Sequence, residues 1–175
     1  MKKVSIIVPV YNAGAKLSRC IDSIIAQTHE RLQIILVNDG SQDDSLAICR
    51  QYAEHDSRIL VLSHGNRGVS YSRNRGIDAA DGDYLTFFDA DDSVLPDMVQ
   101  RSLETEERDC ADAVIGGIRF CPANAEPYEI VPPSAGTVDR KEMIETVCGS
   151  EDGIFGYAAG KLYRTALIRG NGILF

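Results

Sequence analysis

Along this chain, short apolar runs alternate with stretches in which apolar residues recur every three or four positions. "VSIIVPV" (Val4 to Val10) and "QIILVN" (Gln33 to Asn38) are nearly continuous apolar runs, the pattern of strands covered on both faces. Between them Leu17, Cys20, Ile21, Ile24 and Ile25 keep a 3.6-residue period, which predicts a helix with one apolar face. After "NDGSQDDS" a second helix is expected over about Leu46 to Ala53. A third strand, "RILVLS", then leads through a glycine-rich loop, "HGNRG", into a third helix from about Val69 to Ala79. "DGD" turns into a fourth strand, "YLTFF", and a helix from Pro96 to about Arg108 follows, with Pro96 in its first turn. "ADAVIGGIRF" reads as a fifth strand, Cys121 to Ser134 as a hairpin or irregular excursion, and Arg140 to about Val147 as a short helix. "GKLYRTALI" closes the chain.

Strands and helices in alternation predict an α/β sandwich, a mostly parallel central sheet with helices on both faces. In such open sheets ligands sit beyond the carboxyl ends of the strands, where the strand order reverses. Strand one ends in "PVYNAG", strand two in "VNDGS" and strand four in "FFDADD", so polar side chains are expected along one rim.

Composition narrows the choice of partner. The 175 residues, 44% of them hydrophobic, suffice for one domain with a sizeable core. A formal net charge of -8 argues against a nucleic-acid backbone, whose binding rests on Lys and Arg neutralising phosphates. A small anionic ligand stays within reach if a cation mediates. The five cysteines form no C-x-x-C or Cys/His pattern, which fits reduced thiols in the cytoplasm. The opening "MKKVSIIVPVYN" has the lysines of a leader, but its apolar run is short and interrupted by Ser5 and Pro9, so it reads as a strand. No run approaches the ~20 apolar residues of a membrane span. Membrane contact is therefore expected to be peripheral at most, at the inner face.

The chemistry of the rim has two readings at each motif. If the backbone is still extended there, Asp89 and Asp91 leave on one face and form a hard-oxygen site for Mg²⁺ or Mn²⁺. Alternatively Asp91, Asp92 or Ser93 caps the next helix. Asp39 either accepts hydrogen bonds from a base or ribose or belongs to a plain Asp-Gly turn, with Asp43 or Asp44 capping the helix behind it. Tyr11 stacks on a base or is core, and Asn12 bonds the base edge or simply completes a loop. Arg73 and Arg75 stand roughly 200° apart on a helix, so one faces the crevice. Arg73 is the choice as phosphate partner, against an outward salt bridge. His29, His55 and His64 show no partner pattern.

Taken together, "SIIVPVYN", "IILVNDGSQDDS", "NRGVSYSRNRGIDAADGDYLTFFDADD" and "GKLYR", in this order and spacing, resemble the family 2 glycosyltransferases with the GT-A fold. The resemblance runs over nearly the whole chain. It implies an inverting transfer of sugar from a nucleotide diphosphate sugar, a UDP-sugar above all, to a sugar or lipid-linked glycan acceptor, with Mg²⁺ or Mn²⁺. It implies that Pro9, Tyr11, Asn12 and Asp39 hold the nucleoside, with Arg73, Asp89 and Ala90 completing the nucleotide site. Asp89 and Asp91 become the D-x-D metal pair, Asp91 ahead of Asp89 as direct ligand. Residues 1-120 would be the nucleotide-sugar-binding core, and residues 121-175 the start of an acceptor-side region that continues past this chain. The family's general base follows the K-L-Y-R segment and is expected beyond Phe175. Glu151-Asp152 has the right residues but precedes Lys161-Leu162-Tyr163-Arg164, so its order argues against that role. The alternative function is a catalytically silent nucleotide-sugar-binding fragment of the same fold. A nucleotidyltransferase would want a Gly-rich signature after strand one, which "PVYNAGAKL" lacks.

Overall fold

The computed structural model describes residues 1–122, 124–131, 136–139, 141–143, 145 and 157–175. Its central sheet begins with β1 (Val4–Val10), β2 (Leu32–Asp39), β3 (Ile59–His64) and β4 (Tyr84–Phe87), all parallel. Two late strands, β5 (Ala113–Ile115) and β8 (Lys161–Arg164), complete it in the order β3-β2-β1-β4-β8-β5, with β8 antiparallel to both neighbours. Helices α1 (Gly14–Ile25), α2 (Ser45–His55) and α4 (Met98–Asp109) pack on one face, and α3 (Val69–Ala79) and α5 (Thr165–Gly170) on the other.

The continuous apolar runs follow from this layering. In β1, Ile6 and Val8 point into the core beneath α1, while Ile7 joins Ile35, Leu85 and Phe87 beneath α3. Ile6, Ile7, Ile34 and Ile35 are wholly buried, each worth about 1.5–3 kcal/mol relative to exposure. Burial this complete holds the strand ends in place, and the site is built on those ends. The layers approach closely at Gly76 of α3, where a Cβ would lie 2.3 Å from Ile7 Cγ2. Only glycine lets the helix down onto β1 there.

Several expectations are corrected. The fourth strand stops at Phe87, and Phe88 is buried outside it. Pro96 lies in a turn ahead of α4, which starts at Met98; the Pro96 carbonyl instead accepts a hydrogen bond from the Thr28 amide at 2.8 Å. "ADAVIGGIRF" is two strands, because Gly116-Gly117 interrupts it. β5 enters the main sheet, whereas β6 (Ile118–Phe120) pairs with β7 (Tyr128–Ile130) as a separate antiparallel ribbon. That ribbon matches the excursion expected over Cys121 to Ser134 only in part: β7 falls within it, β6 precedes it, and residues 123 and 132–134 lie outside the described residues. Residues 141–143 and 145 are helical, while the rest of the helix expected over Arg140 to Val147 lies outside the described residues, as do Cys148 and Glu151-Asp152.

Candidate functional site

The strand order reverses between β1 and β4, and a cavity of about 630 Å³ opens there at the carboxyl ends. This is a size suited to a small-molecule ligand. Pro9, Tyr11 and Asn12 line it from the end of β1, Asp39 from β2, Gly68 from the turn before α3, and Asp89, Ala90 and Asp91 from beyond β4. Six of the residues singled out in the sequence thus share one cavity with Asp91, and Lys16 and Asn66 join them. Arg73 does not line it.

The walls are stitched together by side chains. Asn12 takes a left-handed backbone (φ 48°), which asparagine tolerates better than most residues. Its amide donates to Ser41 Oγ at 3.1 Å, and its Oδ1 accepts from the Gln42 amide at 2.8 Å. Wholly buried Ser45 accepts from the amides of Ala13 and Gly14 at 3.0 and 3.1 Å, tying the start of α1 to the start of α2. Asp43 caps α2 by accepting from the Ser45 amide at 3.0 Å; Asp44 makes no side-chain cap.

Asp39 holds the glycine-rich loop. Its carboxylate is nearly buried, and its oxygens accept from the amides of Arg67 at 2.7 Å and Gly68 at 2.9 Å. His64 stands behind it, with Nδ1 3.3 Å from Asp39 Oδ1 and 2.8 Å from the Gly65 carbonyl, and with Nε2 3.3 Å from Ser72 Oγ. Two acceptors at Nδ1 assign the proton to that nitrogen. The loop can pass this close because Gly40, with φ 71°, has no side chain: a Cβ there would sit 2.6 Å from the Asn66 amide nitrogen. A carboxylate so placed can take further donors but no phosphate oxygen, since it has no proton to offer.

Beyond β4 the backbone turns, the Asp92 amide bonding back to the Asp89 carbonyl at 3.1 Å, so the extended geometry expected for Asp89 and Asp91 is not the one present. Helix capping by this turn is also excluded: the residue at the start of α4 is Asp97, and it makes no side-chain cap. Cations attend the carboxylates instead. Arg73 Nη2 donates to Asp89 Oδ1 at 3.0 Å, Lys16 Nζ lies 3.4 Å from Asp91 Oδ2, and Arg19 Nη2 donates to the Asp91 carbonyl at 2.7 Å. Asp92 is partly open to solvent yet crowded by protein atoms; that crowding, followed by the charges of Asp89 and Asp91, raises its pKa above the ordinary value. Arg73 is half-buried while Arg75 is exposed, so the two differ in surroundings as the helical spacing predicts, but the crevice-facing side chain expected of Arg73 does not line the cavity. Its guanidinium is spent on Asp89 from behind the cavity wall. Tyr11 is 48% exposed, so it is no core residue and its ring is free for stacking.

Lys16, Arg19, Ser45 and His64 are the contributors that motif reading missed. Ser45 stood inside a quoted motif, and Lys16 and Arg19 recur on one side of a predicted helix, but pairing across loops leaves no mark in the sequence. Among the described residues no three or more His, Cys, Asp or Glu gather as a metal cluster. Mg²⁺ and Mn²⁺ need no such cluster, since one or two carboxylates with water and phosphate suffice, and the carboxylate oxygens at the mouth of this cavity are of that type.

A sequence model described as Glycosyl transferase family 2 matches residues 5–167. The protein named Uncharacterized glycosyltransferase EpsJ, of Bacillus subtilis (strain 168), is 39% identical over 176 residues, covering 98% of this chain and 51% of the relative. The crystal structure of S. aureus TarS 1-349 superimposes with a TM-score of 0.78 at 26% identity, covering 99% of this chain and 50% of that one. A TarS 1-349 complex with UDP-GlcNAc shares the fold at a TM-score of 0.77 and 24% identity, covering 99% of this chain and 48% of that one. The chain thus spans about half the length of these proteins. No helix among the described residues is long and apolar enough to cross a membrane.

Proposed function

Because this chain belongs to glycosyl transferase family 2, we propose that it carries the donor half of an enzyme that moves a sugar from a UDP-sugar to an acceptor hydroxyl with inversion. The observation that supports this best is the convergence of Tyr11, Asp39, Asp89 and Asp91 on one cavity at the point where the strand order reverses. Uridine is the choice of base because TarS, 26% identical here, is a protein solved with UDP-GlcNAc.

In this reading Pro9 and the exposed Tyr11 ring flank the base, Asn12 borders its edge, and Asp39 accepts a hydrogen bond from a base N–H or a ribose hydroxyl. Its two loop amides fix the carboxylate in orientation before the ligand arrives. Ala90, nearly buried, keeps the wall between Asp89 and Asp91 flat for the diphosphate. Asp89 and Asp91 would hold Mg²⁺ or Mn²⁺, Asp91 the more directly, and the ion when bound would supply positive charge where the departing diphosphate gains negative charge. Without a cation these carboxylates would repel the diphosphate; Lys16 and Arg73 offset part of that charge. The acceptor, a sugar or lipid-linked glycan, and the general base belong to the acceptor side of the whole enzyme, which acts in the cytoplasm at the inner face of the membrane.

Calorimetry with UDP tests the donor site. UDP is expected to bind in the presence of Mn²⁺ and to lose at least about 10–100-fold in affinity in Asp91→Ala or in EDTA, the range typical for disturbing a metal's immediate surroundings. Equal affinity with and without EDTA, in native and variant protein alike, would refute the metal assignment.

A further inference from the structure

The segment after α5 brings Phe175 back onto the edge of the donor site, and four contacts meet there. Its ring lies 5.1 Å from the Arg73 guanidinium carbon and 5.0 Å from the buried ring of Phe87, edge to face with the latter at 74°. Its backbone is bracketed by one side chain: the Phe175 amide donates to Asn74 Oδ1 at 3.0 Å, and Asn74 Nδ2 donates to the Phe175 carbonyl at 3.2 Å. Asn74 and Arg73 are adjacent on α3, so the residue that clasps Phe175 is the neighbour of the residue Phe175 covers.

We propose that Phe175 is a positioning residue for the donor site, clamping the Arg73 guanidinium in the orientation that pairs it with Asp89. The need for a clamp follows from what Arg73 lacks. Its Nη2 bonds Asp89 at 3.0 Å, but its Nε is buried without a hydrogen-bond partner. A guanidinium satisfied at one end only can swing on a long flexible stem, and an aromatic face is a partner that restrains it without competing for its protons. Phe87 in turn fixes the ring of Phe175 from the end of β4, two residues before Asp89. The contacts close a loop: Asn74 to Phe175, Phe175 to Arg73, Arg73 to Asp89. Asp89 is thereby held at the cavity mouth in one rotamer before metal or nucleotide arrives.

This inference rests on the donor-site reading, and UDP titration with Mn²⁺ separates the two. The variants are Phe175→Leu, Phe175→Tyr, Arg73→Met and the double variant Phe175→Leu/Arg73→Met, each checked by thermal unfolding. Phe175→Leu is expected to weaken UDP binding about three- to fivefold, the scale of a partly exposed cation–π contact, and Phe175→Tyr to restore it. In the Arg73→Met background, which keeps the stem but removes the charge, the same Leu substitution should change affinity less than about 1.5-fold, because the cation it acts through is gone. If Phe175→Leu lowers the unfolding temperature substantially, Asn74→Ala, which removes the bracket and leaves the ring, should show the same loss of affinity and the same dependence on Arg73. An equal loss in both backgrounds, or no loss at all, overturns the proposal while leaving the donor site standing. Native protein that fails to bind UDP with Mn²⁺ refutes the donor site itself, and this inference with it.

Discussion

Replacing Asp39 separates its hold on the loop from any contact with ligand. Its side chain is 6% exposed, so its two hydrogen bonds, at 2.7 and 2.9 Å, are not discounted for solvent. A hydrogen bond to a charged group contributes about 1.5–3 kcal/mol net. Asp39→Asn keeps one acceptor oxygen and turns an amide NH₂ toward the other backbone N–H, so about one bond is lost. Removing a buried charge also relieves its desolvation cost, which places the expected loss near the lower end, about 2 kcal/mol, and about 3 kcal/mol for Asp39→Ala. For a chain of this size each kcal/mol moves the Tm by about 2–4 °C, giving about 4–8 °C for Asn and 6–12 °C for Ala. Circular dichroism measures this, and amide hydrogen exchange localises it. Where exchange proceeds by local opening, a loss of about 2 kcal/mol speeds it roughly 30-fold at Arg67 and Gly68. Uridine binding should weaken in both variants. A Tm within about 1 °C of native, with exchange at Arg67 and Gly68 unchanged, would refute the loop-anchoring role.

Burial pushes the Cys20 thiol up to about 12 and the Cys49 thiol up to about 11, so both stay protonated and covered at neutral pH. Iodoacetamide at pH 8 should label exposed Cys110 and Cys121 in the native protein and reach Cys20 and Cys49 only after denaturant; native labelling of Cys49 at the rate of Cys121 contradicts this. At the opposite end of the sheet, burial alone would raise the Glu106 carboxyl, but hydrogen bonds from Lys2 and Tyr84, with the charges of Lys2 and Arg164, outweigh it and bring the pKa below the ordinary value. A depressed carboxyl adds stability above its unfolded pKa, about 4.3, and loses it as pH falls through the lower folded value. Glu106→Gln should therefore cost about 1–2 kcal/mol near pH 7, discounted because Lys2 and Arg164 are partly in water, and little near pH 3. A pH-independent difference in urea unfolding would contradict the pairing.

How much of this could be read from sequence differs by kind of contact. The parallel half of the sheet was legible because β1 and β2 are buried on both faces and leave unbroken apolar runs. The rim residues were legible because strand ends fall where those runs stop. β5 and β6 ran together in the reading, since Gly116-Gly117 interrupts pairing without interrupting the apolar pattern. The late insertion of β8 was not readable: its four residues, Lys161-Leu162-Tyr163-Arg164, form no apolar run, and nothing local states which neighbours it will have. The D-x-D spacing located Asp89 and Asp91 but not their geometry, because the turn that carries them is set by the Asp92 amide bonding back to Asp89. Arg73 was picked to face the crevice but does not line the cavity; its pairing with Asp89 depends on tertiary placement that spacing does not encode.

The place of β8 also orders the events of synthesis. All the parallel pairings among these four strands lie within residues 1–87, so the half of the sheet that carries the cavity can assemble as soon as Phe87 clears the ribosome. Its outer edge at β4 then waits for Lys161–Arg164. At about 5–20 residues per second, the roughly 74 residues from Phe87 to Lys161 take about 4–15 s to appear. Throughout that interval β4 presents an unpaired, apolar strand edge, the kind that recruits other chains. β5 cannot protect it, because β5 joins the sheet only through β8. The nascent protein is thus most open to aggregation, and to chaperone capture, between the emergence of β4 and the arrival of "KLYR".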